Sequence, residues 1–595
     1  MGQDLSRRQV FVGSGAAVAG AATAGLASGT ASAKEQEQEQ GVSGRRLPWI
    51  LDTVMCNPGE SVVLTAFNDV RRLRDYGYNG QIVTEWHPPT TAITYDSLDP
   101  EIFPQGSDER VWVETNAGRI DARIRQIRAA GLKALYFIDI VTLPERLVDR
   151  YADKILDSRG RINLDHEETR RIHRVMLAEI FDRFPDLDGL VVRTGETYLP
   201  GVPYFRGNNP VTRGADSHVI LLDILRDEVC VKRDKLLFYR TWSFDAFTTS
   251  PDYYLDVTDR IEPHPNLVFS IKHTAGDFLR TYKFNPTLTL GRHPQIVEVQ
   301  CQREYEAKGA VPDYVMHGVI DGFEEYAGDT APKGLADIRD HPNFQGIWTW
   351  SRGGGWRGPY IPNEMWCDLN AYVAGHWAQD VDRTEAQVFG DWMRGAGVKG
   401  TDRDRFRRLA LLSASGTLHG KYTALFTMAN PFWMRDQFIG GSDDQLKADF
   451  ERIRRQGRID TAIQEKADAV ATWREVARLA RSIHLSDPAD RDYLRISGEY
   501  GLRLYTAVHH AWAVMLKGVE GDSTGTYDVA VIREHLAAFD TAWQAYEKLH
   551  GHPLCPTLYE PYAFGAKDAN GLYHADRGRG VKPTMDRYRA IVGNA

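Results

Sequence analysis

Residues 189–201 read GLVVRTGETYLPG. Gly189 to Val192 are small or apolar, as a buried strand requires, and a turn signal closes the stretch at Pro200–Gly201. Between them stand Arg193, a Thr-Gly step and a lone carboxylate, Glu196. An isolated loop acid ordinarily does no more than meet solvent. What lifts Glu196 above that reading is that its setting recurs along the chain.

The same pattern, an apolar run with a polar or aromatic end followed by a helical segment, starts at residue 49. The runs are Trp49–Met55, Gln81–Thr84, Leu132–Ile140, Gly189–Val192, Lys235–Tyr239, Leu267–Ile271, Gln295–Val299 and Phe344–Trp350. The segments between them include AGRIDARIRQIRAA (117–130) and EETRRIHRVMLAEIFDRF (167–184), with apolar residues three and four apart. Runs rich in Val, Ile, Leu and Phe that alternate with helices predict a parallel sheet buried on both faces. Eight such units in about 310 residues predict an α/β fold, a closed (β/α)8 TIM barrel, over 46–380. A doubly wound open sheet is the alternative, but no GxGxxG opens the first helix. From about residue 380 the pattern turns helical, over 404–418, 443–483, 489–519 and 527–550, which predicts a mostly α-helical C-terminal domain over 381–595.

The first 33 residues read as an address and not as fold. SRRQVFV (6–12) carries a twin-arginine signature, a small, mildly apolar stretch follows, and Ala31-Ser32-Ala33 fits a cleavage site. Residues 34–45, opening KEQEQEQ, read as a disordered leader of the mature chain. The expected workplace is therefore extracellular or in a bacterial cell envelope.

The net charge is −9, and losing Arg7, Arg8 and Asp4 with the signal makes it one unit more negative. No basic run or Arg-rich helix appears, which argues against nucleic acid as a partner. After the signal no stretch of ~18 apolar residues remains, so no membrane span is expected in the mature form. A homodimer is compatible with this reading. The five cysteines are scattered, with no CxxC pair, so neither a disulfide framework nor a zinc-cysteine site is expected. No cofactor and no metal is expected.

In a TIM barrel the chemistry sits at the C-terminal ends of the strands. Here those ends carry Asp52; Glu85 and Trp86; Asp139; Arg193 and Glu196; Arg240 and Trp242; Lys272 and Asp277; Gln300, Arg303 and Glu304; then Trp350, Arg352 and Trp356. Such a ring of acids, cations and indoles suits a hydroxylated or charged substrate, with Trp faces against sugar C–H surfaces. The expected partner is an oligosaccharide or polysaccharide.

Several of these strand ends resemble glycoside hydrolase family 67, the α-glucuronidases. DGLVVRTGETYLPG is similar to that family's fourth-strand segment, KLLFYRTWSF to its fifth, and SIKHTAGDF and VEVQCQREY to the next two. GIWTWSRGGGWRG with the following AYVAGHWAQD resembles its eighth strand and helix. The resemblance covers roughly residues 185–400. It implies an exo-acting, inverting hydrolase that frees a uronic acid from plant-type polysaccharide fragments, with Glu196 as the general acid. The alternatives are an exo-glycosidase of the same barrel type for a neutral sugar, and a non-catalytic carbohydrate-binding protein.

Hydrolysis of a glycosidic bond needs a second carboxylate. Ser351 to Gly355 (SRGGG) holds none, so the expected base comes from VIDGFEEY after strand seven: Asp321 first, then Glu324 and Glu325. Inversion predicts a carboxyl separation of roughly 6.5–9.5 Å and retention about 5–5.5 Å. For a uronate, Arg240, Lys272 and Arg303 are the expected carboxylate clamp. Glu85, Trp86, Asp139, Arg193, Trp242, Glu304, Trp350, Arg352 and Trp356 are the other expected substrate contacts.

Overall fold

The computed structural model describes residues 44–593 apart from 57–62, 85–86, 198, 200, 244, 355–360, 427–442 and 556–580. Eight strands close into a barrel in which each strand pairs in parallel with its neighbours. They are β1 (Trp49–Met55), β2 (Gly80–Val83), β3 (Lys133–Asp139), β4 (Gly189–Arg193), β5 (Leu236–Arg240), β6 (Leu267–Lys272), β7 (Gln295–Gln300) and β8 (Phe344–Gly353). Chain order and spatial order agree, and β8 returns to pair with β1. The expected (β/α)8 barrel is therefore present, and the open sheet is not. A short antiparallel ladder, Thr142–Pro144 with Phe205–Gly207, ties the loop after β3 to the loop after β4.

The two faces of each strand separate into two cores, as a side-chain period of two requires. Leu51, Met55, Ile82, Leu135, Phe137, Val191, Phe238, Val268, Ile296, Trp348 and Trp350 fill the barrel interior. Ile50, Val54, Tyr136, Ile138, Leu190, Val192, Tyr239 and Phe269 point outward beneath the helices. Burial on both sides is why the strands read as near-continuous apolar runs. The outer layer includes α1 (Asp108–Ala129), capped by Ser107, and α2 (Glu167–Arg183); both bury an Ile-rich stripe.

The C-terminal portion is helical: α4 (Met365–Gln379), α5 (Glu385–Gly395), α6 (Asp402–Lys421), α7 (Asp443–Arg455), α8 (Ile459–Ser482), α9 (Pro488–Thr524), α10 (Val529–Glu547) and α11 (Val581–Gly593), preceded by α3 (Met316–Asp321) between β7 and β8. The 443–483 segment is two helices, broken at Gln456–Arg458. Residues 44–595 form one compact unit, so barrel and helices share a continuous core. Among the described residues no helix is long and apolar enough to cross a membrane. The signal and most of the leader lie outside the described residues.

Asp52, expected at a strand end, instead lies in mid-strand on the outer face, between the outward-pointing Ile50 and Val54. Thr349 Oγ1 donates to its carboxyl at 2.6 Å and Ser351 Oγ at 3.0 Å. Complete burial pushes its pKa up to about 7 from the ordinary 3.8. A folded value raised above the unfolded one means that stability is lost as pH rises between about 4 and 7. Asp52→Asn is therefore expected to gain on the wild type across that window, by up to ~4 kcal/mol. Denaturation midpoints of both proteins at pH 4 and pH 8 check this. A stability difference that stays constant across the two pH values would refute it.

Candidate active site

The site grows from the ends of β3 and β4. Arg193, the last residue of β4, pairs side-on with Asp139, the last residue of β3: Nε to Oδ1 at 2.6 Å and Nη2 to Oδ2 at 2.8 Å. Its Nη1 reaches Glu196 Oε2 at 2.5 Å, and Nη2 donates to the Glu196 carbonyl at 3.0 Å. Gly195, with φ +90°, turns the chain back so that Glu196 can meet the residue three before it. That is the physical use of the Thr-Gly step. The Arg193 guanidinium also lies 5.0 Å from the Phe137 ring centre, and Phe137 is two residues before Asp139 on the same face of β3. One cation thus holds two carboxylates in place. Burial raises the Asp139 pKa, with Arg193 opposing that rise.

Facing this group is a second one, from β5, β6 and β7. Lys272, the last residue of β6, forms an ion pair with Asp277, and its ammonium lies 3.6 Å from the Trp242 ring centre and 4.7 Å from that of Phe278. The other Asp277 oxygen accepts a hydrogen bond from the Tyr305 hydroxyl. Asp277 and Phe278 both take left-handed backbone, φ +48° and +64°. Such conformations persist only where surrounding contacts over-determine them, and they gather at working sites.

Glu304 is the most perturbed carboxyl of this group. Burial first, and then repulsion from Asp277, push its pKa up to about 7, against the opposing pull of Lys272, Lys308 and Gln300. It is buried, and Gln300 Oε1 accepts from its backbone N–H at 2.9 Å. Gly354, with φ +80°, leaves a gap beside it: a Cβ there would stand 3.1 Å from Glu304 Oε2 and 3.0 Å from Gln300 Nε2. Trp350 forms the third wall, 3.5 Å from that point. Among the described residues Gln300 Nε2 and Trp350 Nε1 have no hydrogen-bond partner. A ligand's oxygens would satisfy both donors.

Tyr305 links the two groups. Its hydroxyl pKa is held well above the ordinary value by burial, then by the charges of Asp277, Glu304 and Glu196. Acids from the ends of β4, β6 and β7 therefore converge on one phenol.

The expected carboxylate clamp takes another form. Arg240 pairs with Glu298 through Nε at 2.8 Å and Nη2 at 2.7 Å, both side chains fully buried, and Ser270 Oγ donates to the same carboxylate at 2.9 Å. Arg240 is packed against Phe137, Trp348 and Trp350 at 5.2–5.5 Å, so it forms the floor beneath the site. Arg303 turns toward Glu306 at 3.1 Å and donates to the Phe278 carbonyl at 2.8 Å. Lys272 is held by Asp277. All three cations thus already hold protein carboxylates. Arg352 is buried against Glu364 at 3.3 Å and Cys367 at 3.5 Å.

The expected bases stand apart from this cluster. Asp321 ends α3, half-exposed, with His317 at 3.5 Å. Glu325 is bound by Arg280 at 2.8 Å, and Glu324 accepts from Ser415 of α6 at 3.1 Å. Among the described residues no hydrogen bond or ion pair joins Asp321, Glu324 or Glu325 to Glu196. Glu85, Trp86 and Trp356 lie outside the described residues. Sequence reasoning missed Phe137, Lys308 and Gly354. Phe137 was findable from its two-residue spacing to Asp139, whereas Gly354 shows its use only beside Glu304.

No family model and no curated protein sequence matches the chain. Among solved structures it is similar to a GH138 enzyme targeting pectin rhamnogalacturonan II, with TM-score 0.56 and 12% identity over 93% of this chain and 68% of that one. A mutant O-GlcNAc hydrolase of Thermobaculum terrenum aligns over 84% of this chain and 94% of its own at 8% identity, with TM-score 0.38, too low to carry an argument. At 12% identity the first likeness speaks for the fold: the barrel and its helical continuation are an arrangement shared with the pectin-targeting enzyme.

Proposed function

We propose that the chain is a glycoside hydrolase, with Glu304 as the proton donor and Glu196 as the ionised carboxylate. The observation that carries this reading is the contrast between two acids, one just beyond the end of β4 and the other just beyond the end of β7. Glu304 is buried with its pKa pushed up to about 7, so a large fraction of it keeps its proton near neutral pH. Glu196 stands in an ion pair with Arg193 and offers an anionic oxygen. Glycoside hydrolysis asks for this division of labour: one carboxylic acid to protonate the leaving oxygen, one carboxylate to act on the other side of the anomeric carbon. These roles differ from the expected ones, in which the family-67 resemblance makes Glu196 the donor and the sequence after strand seven offers Asp321 as the base. Arg193 on Glu196, and the pairing of Asp321 with His317, support the reassignment. Carbohydrate as the substrate class draws further support by analogy from the architecture shared with the pectin-targeting GH138 enzyme. Export by the twin-arginine route to the cell envelope or medium belongs to the same proposal and rests on residues 1–33.

Of the two sugar classes, a neutral sugar at a chain end is favoured over a uronic acid. A bound uronate would have to take Arg240, Lys272 or Arg303 from Glu298, Asp277 or Glu306. A neutral sugar needs only hydroxyl partners and ring faces, which Gln300, Trp350 and Trp242 supply.

Sugar release from a panel of oligosaccharides, glucuronoxylan fragments and neutral-sugar controls included, tests this. A neutral sugar is the expected product. Because the working form of Glu304 is protonated, the rate should fall through an alkaline limb near pH 7, approaching tenfold per pH unit above it. Release of uronic acid would reinstate the clamp and the α-glucuronidase assignment. Binding without release from any substrate would make the chain a carbohydrate-binding protein.

A further inference from the structure

Away from the barrel, three histidines meet between two helices. His509 and His510 are consecutive residues of α9, and His535 comes from α10. One ring nitrogen from each lies within 4.8 Å of the other two. His510 Nδ1 and His535 Nδ1 are 3.0 Å apart. The ring centres are 4.5 Å apart for His509–His510, 5.7 Å for His509–His535 and 5.3 Å for His510–His535. All three residues are half-buried, so solvent reaches the group.

This placement has specific chemistry. Two N–H groups cannot point at one another across 3.0 Å, so at least one of the two Nδ1 atoms presents its lone pair to the gap. Among the described residues His509 makes no hydrogen bond, and His510 and His535 bond only each other. No carboxylate or carbonyl is therefore using these donors as a structural histidine ordinarily would. Two imidazole nitrogens bound tetrahedrally to zinc at ~2.0–2.1 Å are separated by roughly 3.3 Å. The observed pair is within a few tenths of that spacing, and the third ring offers a nitrogen within 4.8 Å of both.

The other histidine-carboxylate group of the fold, His317, Asp321 and Glu385, is built differently. Arg407 grips Glu385 with both guanidinium nitrogens, and Tyr314 donates to the same carboxylate. That group is an ion-pair network already neutralised by a cation. The three histidines have no such occupant. Two charges outside the group act on it, Lys466 on His509 and Glu534 on His535. The Lys466 ammonium is turned to the carbonyls of His419 and Tyr422, and Glu465 lies 3.6 Å away to offset it.

We propose that His509, His510 and His535 form a site for a divalent transition metal of the zinc type, with three imidazole ligands and one position open to water. Imidazole donors suit Zn2+ and, in the same geometry, Co2+, Ni2+ or Cu2+. The metal would cross-link α9 to α10 and stabilise the C-terminal helices by binding only the folded chain. The proposal is independent of the glycosidase reading.

Co2+ titration of the mature full-length chain after EDTA treatment, followed in the visible d–d region, tests it. One equivalent should give a saturable tetrahedral or five-coordinate spectrum, displaced by Zn2+, together with a raised melting temperature. His509→Ala and His535→Ala should each abolish that equivalent, and His317→Ala should keep it. A wild-type chain that shows no saturable equivalent overturns the proposal, whether or not the variants fold. A spectrum that survives both substitutions, or is lost in His317→Ala, overturns it as well.

Discussion

Glu304→Gln is expected to lower sugar release by about 10²–10⁴-fold while carbohydrate affinity changes by no more than a few-fold. The substitution keeps the shape of the side chain and removes only its acidic proton. Glu304 is buried at the end of the loop that leaves β7, and its backbone N–H is fixed by Gln300. An amide in the same place preserves the wall beside Gly354 and Trp350, so a sugar still binds. It cannot donate a proton to a departing oxygen. The alkaline limb near pH 7 should vanish with it, since the group that titrates there is gone. Single-turnover release and calorimetric binding measured on the same preparation separate the two effects. Unchanged turnover would remove Glu304 from the chemistry. Equal loss of binding and turnover would mean that it holds substrate and gives no proton.

The second large effect is structural. Glu298→Gln is expected to destabilise the barrel by about 3–5 kcal/mol, because it leaves the Arg240 charge buried without its partner. Both side chains are fully buried, and the pair is enclosed by Phe137, Trp348 and Trp350. Ser270 keeps an acceptor in the variant, so the loss is that of charge compensation and not of every hydrogen bond. The double variant Arg240→Met/Glu298→Leu should recover most of the lost stability, since an apolar pair of similar volume removes both desolvation penalties. Urea unfolding of the three proteins decides the matter. If the double variant is less stable than Glu298→Gln, the charge is not what matters and packing around the indoles is. Turnover should fall in both variants that fold, because Arg240 supports Trp350, a wall of the site.

The strands were legible because a parallel barrel buries both faces of each one, and the unbroken apolar runs 134–138 and 190–192 follow from that. Helix α2 was legible because its Ile, Met and Leu fall three and four apart. Chain topology then placed the candidate residues at the strand ends, where Asp139, Arg193 and Glu196 form one group, Lys272 and Trp242 a second, and Glu304 and Trp350 border Gly354. Asp52 was misjudged for a local reason. Its side chain follows the outward phase of β1, set by Ile50 and Val54, and an acid's face is fixed by the phase of the residues two before and two after it. For Asp321 the effect is longer-range: the segment after β7 carries it to the end of α3, where His317 is its partner.

The order of strands and helices, the end of the barrel where the charged strand ends gather and the set of charged residues available there are properties of the sequence by itself. Hydrophobic period and chain direction act locally, and they determine all three. Which carboxylate keeps a proton, and which cation is already taken, were decided only by the tertiary structure. Glu298 meets Arg240 across 58 residues, and Asp139 meets Arg193 across 54. Desolvation and Coulomb energy depend on burial and on distance in space, and neither is a function of separation along the chain.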